Sequence, residues 1–442
     1  MKIQLSDHFT YKKLLKFTLP SIVMMIFTSI YGVVDGFFVS NFVGKTPFAA
    51  VNFIMPVLMI LGAIGFMFGT GGSALIAKTM GEGNLEKARK DFSMFVIVSV
   101  VLGIIIAVAG IIFLRPIAAL LGAEGAMLDD CVIYGRVILL ALPAYILQME
   151  FQSFFITAEK PQLGLVVTVI SGVTNMVLDA LLVAVFSLGL VGAAAATGIS
   201  QVIGGVIPVI YFLCPNTSLL KLTKTKFDGK ALLKACTNGS SELMSNISMS
   251  LVSMLYNIQL IGYAGEDGVA AYGVLMYVNM IFIAAFIGYS IGTAPVVGYH
   301  YGAENHSELK GLLRKSLIII GSFAIVMFVA AEILAAPLSN MFVGYDAGLY
   351  DMTCNAFKIY SFSFLFAGFA IYGSGFFTAL NDGLTSALIS FLRTLVFQIA
   401  AVLLLPIIWG INGIWLSIVV AEAMAVLTAG AFLVLKQKKY NY

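Results

Sequence analysis

Twelve apolar runs of about twenty to thirty residues follow one another along the chain, each closed by clusters of charged, glycine or proline residues. About 20 apolar residues carry an α-helix across roughly 30 Å of hydrocarbon, so each run is long enough to span a bilayer. Membrane strands would be about ten residues long and would alternate polar with apolar, which these runs do not. Only 11% of the 442 residues are charged and 60% are hydrophobic, so a soluble fold of this size would lack a charged surface to cover its core. The expected spans are Leu14–Ser40, Phe48–Ala77, Phe92–Leu114, Cys131–Thr157, Leu163–Phe186 and Val191–Leu213. A second set follows as Asn238–Gly262, Val269–Val297, Ser316–Ala336, Cys354–Ala379, Leu384–Trp409 and Gly413–Leu435. An all-α integral membrane protein follows.

Basic residues set the expected orientation. With the N-terminus in the cytoplasm, the inner segments hold Lys2, Lys12, Lys13, Lys16, Lys78, Lys87, Arg89, Lys90, Lys160, Lys310, Arg314, Lys315 and the C-terminal lysines. The outer side keeps Lys45, Arg115, Arg136 and Lys358 but is otherwise acidic, with Glu124, Asp129, Asp130, Glu266, Asp267, Asp346 and Asp351. Both termini are therefore expected in the cytoplasm of a multi-pass plasma-membrane protein. The first apolar run reads as a retained span, not a cleaved leader. The net charge of +3 is too small to argue for nucleic acid. Cys131, Cys214, Cys236 and Cys354 show no metal or redox spacing, and no paired nucleophile and base appears. No cofactor, enzymatic activity or oligomer is expected; lipids are the surroundings of a monomer.

An internal repeat decides the architecture. A shift of 221 residues, half of the 442, pairs Gly44 with Gly265, Ala50 with Ala271, Met55 with Met276 and Ile60 with Ile281. It also pairs Gly71 with Gly292, Gly81 with Gly302, Asn84 with Asn305 and Gly192 with Gly413. Six helices per repeat is an even number, so both halves enter the membrane in the same sense. Such halves form two six-helix bundles related by a pseudo-two-fold axis along the membrane normal, with a cleft between them. The expected division is an N-terminal lobe at 1–213, a basic cytoplasmic linker at 214–237 and a C-terminal lobe at 238–442. The second and eighth spans are long enough to tilt or protrude.

Ionisable residues inside a membrane are costly and need an explanation. Asp35, Asp179 and Thr197 fall at one depth, roughly 9–10 Å below the outer boundary at 1.5 Å per residue. Asn175 lies one turn before Asp179 on the same helix face. Two carboxylates, an amide and a hydroxyl offer oxygen ligands to a small hard cation such as Na+, or a carboxylate pair that shares a proton. Alternatively, each acid faces a watery cleft by itself or caps an unwound helix. The repeat partners Tyr256, Val396, Ala400 and Ile418 are uncharged, so an ion site would belong to the first lobe alone. Glu150, with Gln148 and Gln152, either lines the cleft and attracts a cationic substrate or is a hydrated carboxylate among polar neighbours. Tyr256 is a further cleft candidate. Arg393 and Glu422, deep in spans eleven and twelve, read as structural charges, with Arg393 held by backbone carbonyls or by an acid of its own lobe. Pro20 in span one is a hinge or a static kink. The 34 Phe and 20 Met residues offer an adaptable apolar pocket, although most must pack helices or face lipid.

Taken in order, several segments resemble the MATE (multidrug and toxic compound extrusion) family over nearly the whole chain. They are Tyr31-Gly32-Val33-Val34-Asp35, Gly81-Glu82-Gly83-Asn84, Glu159-Lys160-Pro161-Gln162-Leu163-Gly164, Thr174-Asn175-Met176-Val177-Leu178-Asp179 and Gly189-Leu190-Val191-Gly192-Ala193-Ala194-Ala195-Ala196-Thr197. The chain looks most similar to the DinF-like branch. That resemblance implies a cation-coupling role for Asp35, Asn175, Asp179 and Thr197 and a bending role for Pro20. Another branch, resembling NorM, adds acids in mid-helix seven and ten. Here Glu242 lies near the start of span seven, and span ten has no acid before Asp382. The function implied is a secondary antiporter that exports amphipathic organic cations against inward H+ or Na+. A flippase for lipid-linked or polar metabolites is the alternative, with a passive channel behind it.

Overall fold

The computed structural model describes residues 3–43 and 45–442, without the side chains of residues 40, 45, 46, 48 and 49. Lys2, Gly44 and the Lys45 side chain, used above, lie outside the described residues. Every regular element among the described residues is helical. In chain order they are α1 Tyr11–Phe42, α2 Lys45–Gly81, α3 Leu85–Leu120 and α4 Gly125–Thr157. Next, α5 Pro161–Leu178 continues through a π-helical turn at Asp179–Val185, and α6 is Gly189–Leu213. A 74-residue helix, Gly229–Gly302, breaks at Gly265, where φ 62° and ψ −147° suit glycine. At 1.5 Å per residue, its unbroken length of about 110 Å would far exceed any bilayer. Its arms, 229–264 and 266–302, are α7 and α8. Then come α9 His306–Val343 and α10, whose parts Ala347–Ser361 and Phe364–Ala379 meet at 47°. The last two are α11, Gly383–Phe391 through a π-helical turn at Leu392–Val396 to Phe397–Trp409, and α12 Ile411–Tyr440.

Among the described residues, ten helices are individually long and apolar enough to cross a membrane, and the bent α10 is an eleventh. The break at Gly265 makes twelve. The starts of helices two to six and eight to twelve repeat at an offset of 221 or 222 residues. Polar caps set several of those starts. Asn84 accepts from the Lys87 amide, its repeat partner Asn305 from the Glu308 amide, and Asp346 from Gly348 and Leu349. The break in α10 and both π-helical turns leave no signature in hydropathy and were not anticipated. The expected linker is shorter than its composition suggests: Asp228 caps Lys230 and Ala231, so α7 begins at Gly229. What remains is packed, not free. Thr223 N donates to Ser93 Oγ, Arg89 Nε donates to the Leu219 carbonyl, and Leu220 is fully buried against the first half.

Three apolar cores define the shape. One is shared by both halves at the end of the bundle that carries the lysine-rich loops, the basic end. At the opposite, acidic end each half has a core of its own. The halves are therefore joined at one end and separate at the other, leaving a cleft that opens towards the acidic end.

The repeat glycines make the joint. A Cβ on Gly81 would sit 2.0 Å from the Tyr299 carbonyl oxygen, and one on Gly302 would sit 2.1 Å from that of Lys78. Gly71 likewise abuts Ala235 and Gly239, while its partner Gly292 abuts Thr18. Residues 3–10 strap across the same end. Leu5 N donates to Glu159 of the first half at 2.8 Å, and Phe9 N donates to Glu308 of the second at 2.9 Å.

Candidate functional site

Helices α1, α5 and α6 converge in the first half on the residues that depth alone had grouped. Thr197 Oγ1 donates to Asp35 Oδ1 at 3.4 Å and accepts from Asn175 Nδ2 at 3.4 Å. Asp179 faces Asp35 closely enough for the two charges to interact. It is fully buried, and neither of its carboxylate oxygens has a hydrogen-bond partner. The α5 helix changes to π-helical winding at Asp179, and such a turn shifts the direction of the side chains that follow. Two tyrosines complete the surroundings. The Tyr134 hydroxyl reaches towards Thr197, and Tyr31, one turn before Asp35, stands between Asp35 and Gln148. Sequence reasoning passed over both because a tyrosine in an apolar run looks like packing; Tyr31, one helical turn from an intramembrane acid, was the available signal.

Two carboxyl groups thus share an enclosed pocket, and the interactions there include no Lys, Arg or His. Like charges repel strongly where the dielectric constant is low, so the pocket favours uptake of a proton or a small cation. The donor set fits a hard monovalent ion: two carboxyls, the Thr197 hydroxyl and the unpartnered Asn175 Oδ1. No three His, Cys, Asp or Glu side chains converge among the described residues.

The other candidates separate. Gln148 and Gln152 lie one turn apart and turn towards α5 and α6: Gln148 Nε2 donates to Ser171 at 3.1 Å and packs against Gly204. Glu150 projects about 200° away, as a two-residue step in an α-helix requires. Its carboxyl is fully buried and faces the Ser99 hydroxyl in α3. The three do not form one patch. Pro20 is buried near the basic end, and α1 runs through it without a break.

In the second half, Tyr256 donates to Gln398 Oε1 at 2.9 Å and stacks on Tyr272 with centroids 5.2 Å apart. Arg393 lies in the π-helical turn of α11 and is held by an acid of its own lobe. Its Nε and Nη2 donate to the two oxygens of Glu422, each at 2.8 Å. Glu242 on α7 senses the Arg393 charge, while Glu332 on α9 accepts from Ser361 at 2.5 Å.

The MatE family model matches residues 20–181 and again 243–404. A multidrug export protein MepA of Staphylococcus saprophyticus is 24% identical over 423 residues, covering 95% of this chain and 92% of that protein. Its counterpart in Staphylococcus aureus strain MRSA252 is also 24% identical, with the same coverage. A crystal structure of a MATE protein in complex with MaL6 superposes with a TM-score of 0.93 at 22% identity, covering 98% of each chain. An outward-facing multidrug resistance MATE transporter superposes at 0.92 with 22% identity, covering 98% of this chain and 97% of that one.

Proposed function

Because the chain belongs to the MatE family, whose model matches each half of it, we propose that it is a secondary antiporter for multidrug efflux. In this reading, organic compounds leave through the interlobe cleft while protons or sodium ions move inward through the first lobe. The basic end faces the cytoplasm, as the distribution of lysines favours, and the cleft opens outward. The observation that carries the proposal is the meeting of Asp35 and Asp179 in one pocket with Asn175 and Thr197, without a cation to neutralise them.

A cation that enters this pocket must favour one arrangement of the lobes over the other, otherwise its entry cannot drive export. One charge moving down 100 mV supplies about 2.3 kcal/mol, and a concentration gradient adds to that. The pairing of Arg393 with Glu422 argues against a lipid-linked-sugar flippase. Arg393, deep in its span, is already neutralised by Glu422 and offers no free cation to a phosphate.

The test is uphill efflux from proteoliposomes under imposed proton or sodium gradients. Asp35→Asn and Asp179→Asn should each abolish uphill export while the protein still folds. Normal export by both variants would overturn the assignment.

A further inference from the structure

Behind the acid pocket, α4, α5 and α6 each present a polar face to their common interior. On α5 the residues are Thr168, Ser171, Asn175 and Asp179, about one turn apart; on α6 they are Thr197 and Gln201, in line with Gly204 and Pro208. Gln148 and Gln152 supply the α4 side. Direct contacts join much of the line: Gln148 Nε2 donates to Ser171 Oγ, Ser171 Oγ donates to the Ser200 carbonyl at 2.7 Å, and Ser200 Oγ donates to the Thr197 carbonyl at 2.8 Å.

Four side-chain amide oxygens along this interior, those of Asn175, Gln201, Gln148 and Gln152, are buried without a hydrogen-bond partner. Their residues are between 1% and 8% exposed. A buried amide oxygen left unpaired is costly, so several in one lobe ask for a ligand. A cavity of about 10 Å³ adjoins two of these residues, Gln148 and Gln152, and is lined as well by Thr168, Gly204, Phe151 and Phe155. That is close to the volume one water needs. From Asp179 to Thr168 the line descends eleven residues, about 16 Å along α5. Nearer the basic end it meets aromatic rings: Phe212 stacks on Phe151 at 5.6 Å and touches Phe155 at 5.4 Å and Phe92 at 5.0 Å.

We propose that the α4–α5–α6 interior is the exit through which a coupling proton leaves Asp179 for the basic end. Waters held by the amide oxygens carry it, and the phenylalanine cluster closes the line in this conformation. The step is a proton transfer only: the Asp179 carboxyl O–H breaks, a neighbouring water gains the proton, and each later water passes one on. The proposal rests on the coupling role of Asp35 and Asp179 and adds a route within the lobe, separate from the substrate cleft. Gln148 and Gln152 thereby become positioning residues for water.

The full chain in proteoliposomes, with ethidium as substrate and a trapped pH dye, tests this under a proton gradient. Gln152→Leu and Thr168→Val should lower proton entry and ethidium export together by at least tenfold, with the KM for ethidium within twofold of the parent. Gln152→Asn should keep at least a third of the rate, and Phe155→Ala should leak protons without ethidium. Wild-type rates in both Gln152→Leu and Thr168→Val, beside an inactive Asp35→Asn, would remove the exit route and leave the coupling reading intact. A normal Asp35→Asn would remove both. Drive by a sodium gradient alone would also overturn the proton route. Thermal unfolding of each variant identifies any loss that comes from misfolding.

Discussion

The two halves share a scaffold and differ in charge. In each, the fifth helix relaxes into a π-helical turn, at Asp179–Val185 in α5 and at Leu392–Val396 in α11. The first half places an acid there, beside a second acid and without a cation. The second half places Arg393 there and neutralises it with Glu422 through two 2.8 Å hydrogen bonds. Position 422 pairs with Gln201 in the repeat, whose amide oxygen is unpartnered. Opposite Asp35 stands Tyr256, satisfied by Gln398. At these matched positions the second half closes its polar groups on one another, while the first leaves the Gln201 amide oxygen unmet and sets Asp179 beside a second acid. A symmetric frame can rock about its axis, and in the proposed reading the half with unmet charge is the one that senses the ion.

The sharpest way to break this contrast is to unpair the second half. Arg393→Ala leaves Glu422 buried without its partner and should cost about 3–5 kcal/mol. Replacing both, as Arg393→Met with Glu422→Leu, should recover most of that loss and keep export. Asp179→Asn, which breaks no ion pair, should change stability by less than about 1 kcal/mol. Thermal unfolding in detergent measures all three. A double variant that folds but cannot export would show that the second half also handles charge in transport.

A smaller effect tests the symmetry of the frame. Gly81→Ala and Gly302→Ala each drive a methyl group into a carbonyl of the opposite half. Each should cost about 1–3 kcal/mol by overpacking, and the two should agree within about 0.5 kcal/mol. Spin labels across the basic end should move apart in both. A cost confined to one variant would mean that the joint is not shared equally.

Much of this was open to sequence reasoning because it depends on length and periodicity. The spans and the depth of Asp35, Asp179 and Thr197 follow from rise per residue, and in the structure Thr197 bonds to Asp35 while Asp179 faces Asp35. The paired glycines stood out as a repeat before their contact across the halves could be known. What stayed hidden depends on azimuth and local winding. Gln148, Glu150 and Gln152 look like one cluster along the chain, yet the helix turns Glu150 to the opposite side. The Arg393–Glu422 pair joins residues 29 apart, and its geometry is fixed by a π-helical turn that leaves apolar content unchanged. Tyr134 carries no charge and announced nothing, while Tyr31 gave only its place one turn before Asp35.

Tyr256→Phe probes the second half's counterpart of the acid pocket. It removes one hydroxyl donor and leaves Gln398 Oε1 unpaired, while the ring stays stacked on Tyr272. The loss should be about 1 kcal/mol in unfolding, with unchanged ion dependence of transport. A shifted ion dependence would place Tyr256 in coupling and weaken the assignment of that role to one half.

The smallest expected difference lies at the basic end, where the repeat aligns the turn before α11 with the turn before α5. Asp382 begins α11 and accepts from Thr385 N at 3.3 Å and from the Tyr440 hydroxyl at 2.7 Å, with Lys436 at 3.4 Å. Burial pushes its carboxyl upward, but the hydrogen bonds from Tyr440 and Thr385 and the Lys436 charge outweigh this and hold it below the usual carboxylate range. A carboxyl depressed in the folded state stabilises above its unfolded value of about 3.9, and that contribution disappears as pH falls through the folded value. Partial exposure and solvent screening keep it below about 1 kcal/mol. The first half begins α5 at the same place with Lys160 and Pro161 and has no carboxyl cap there. Tyr440→Phe should therefore flatten the acid limb of the unfolding curve slightly, and Asp382→Asn should flatten it more. An acid limb unchanged in both variants would mean that this cap adds no acid sensitivity to the second half.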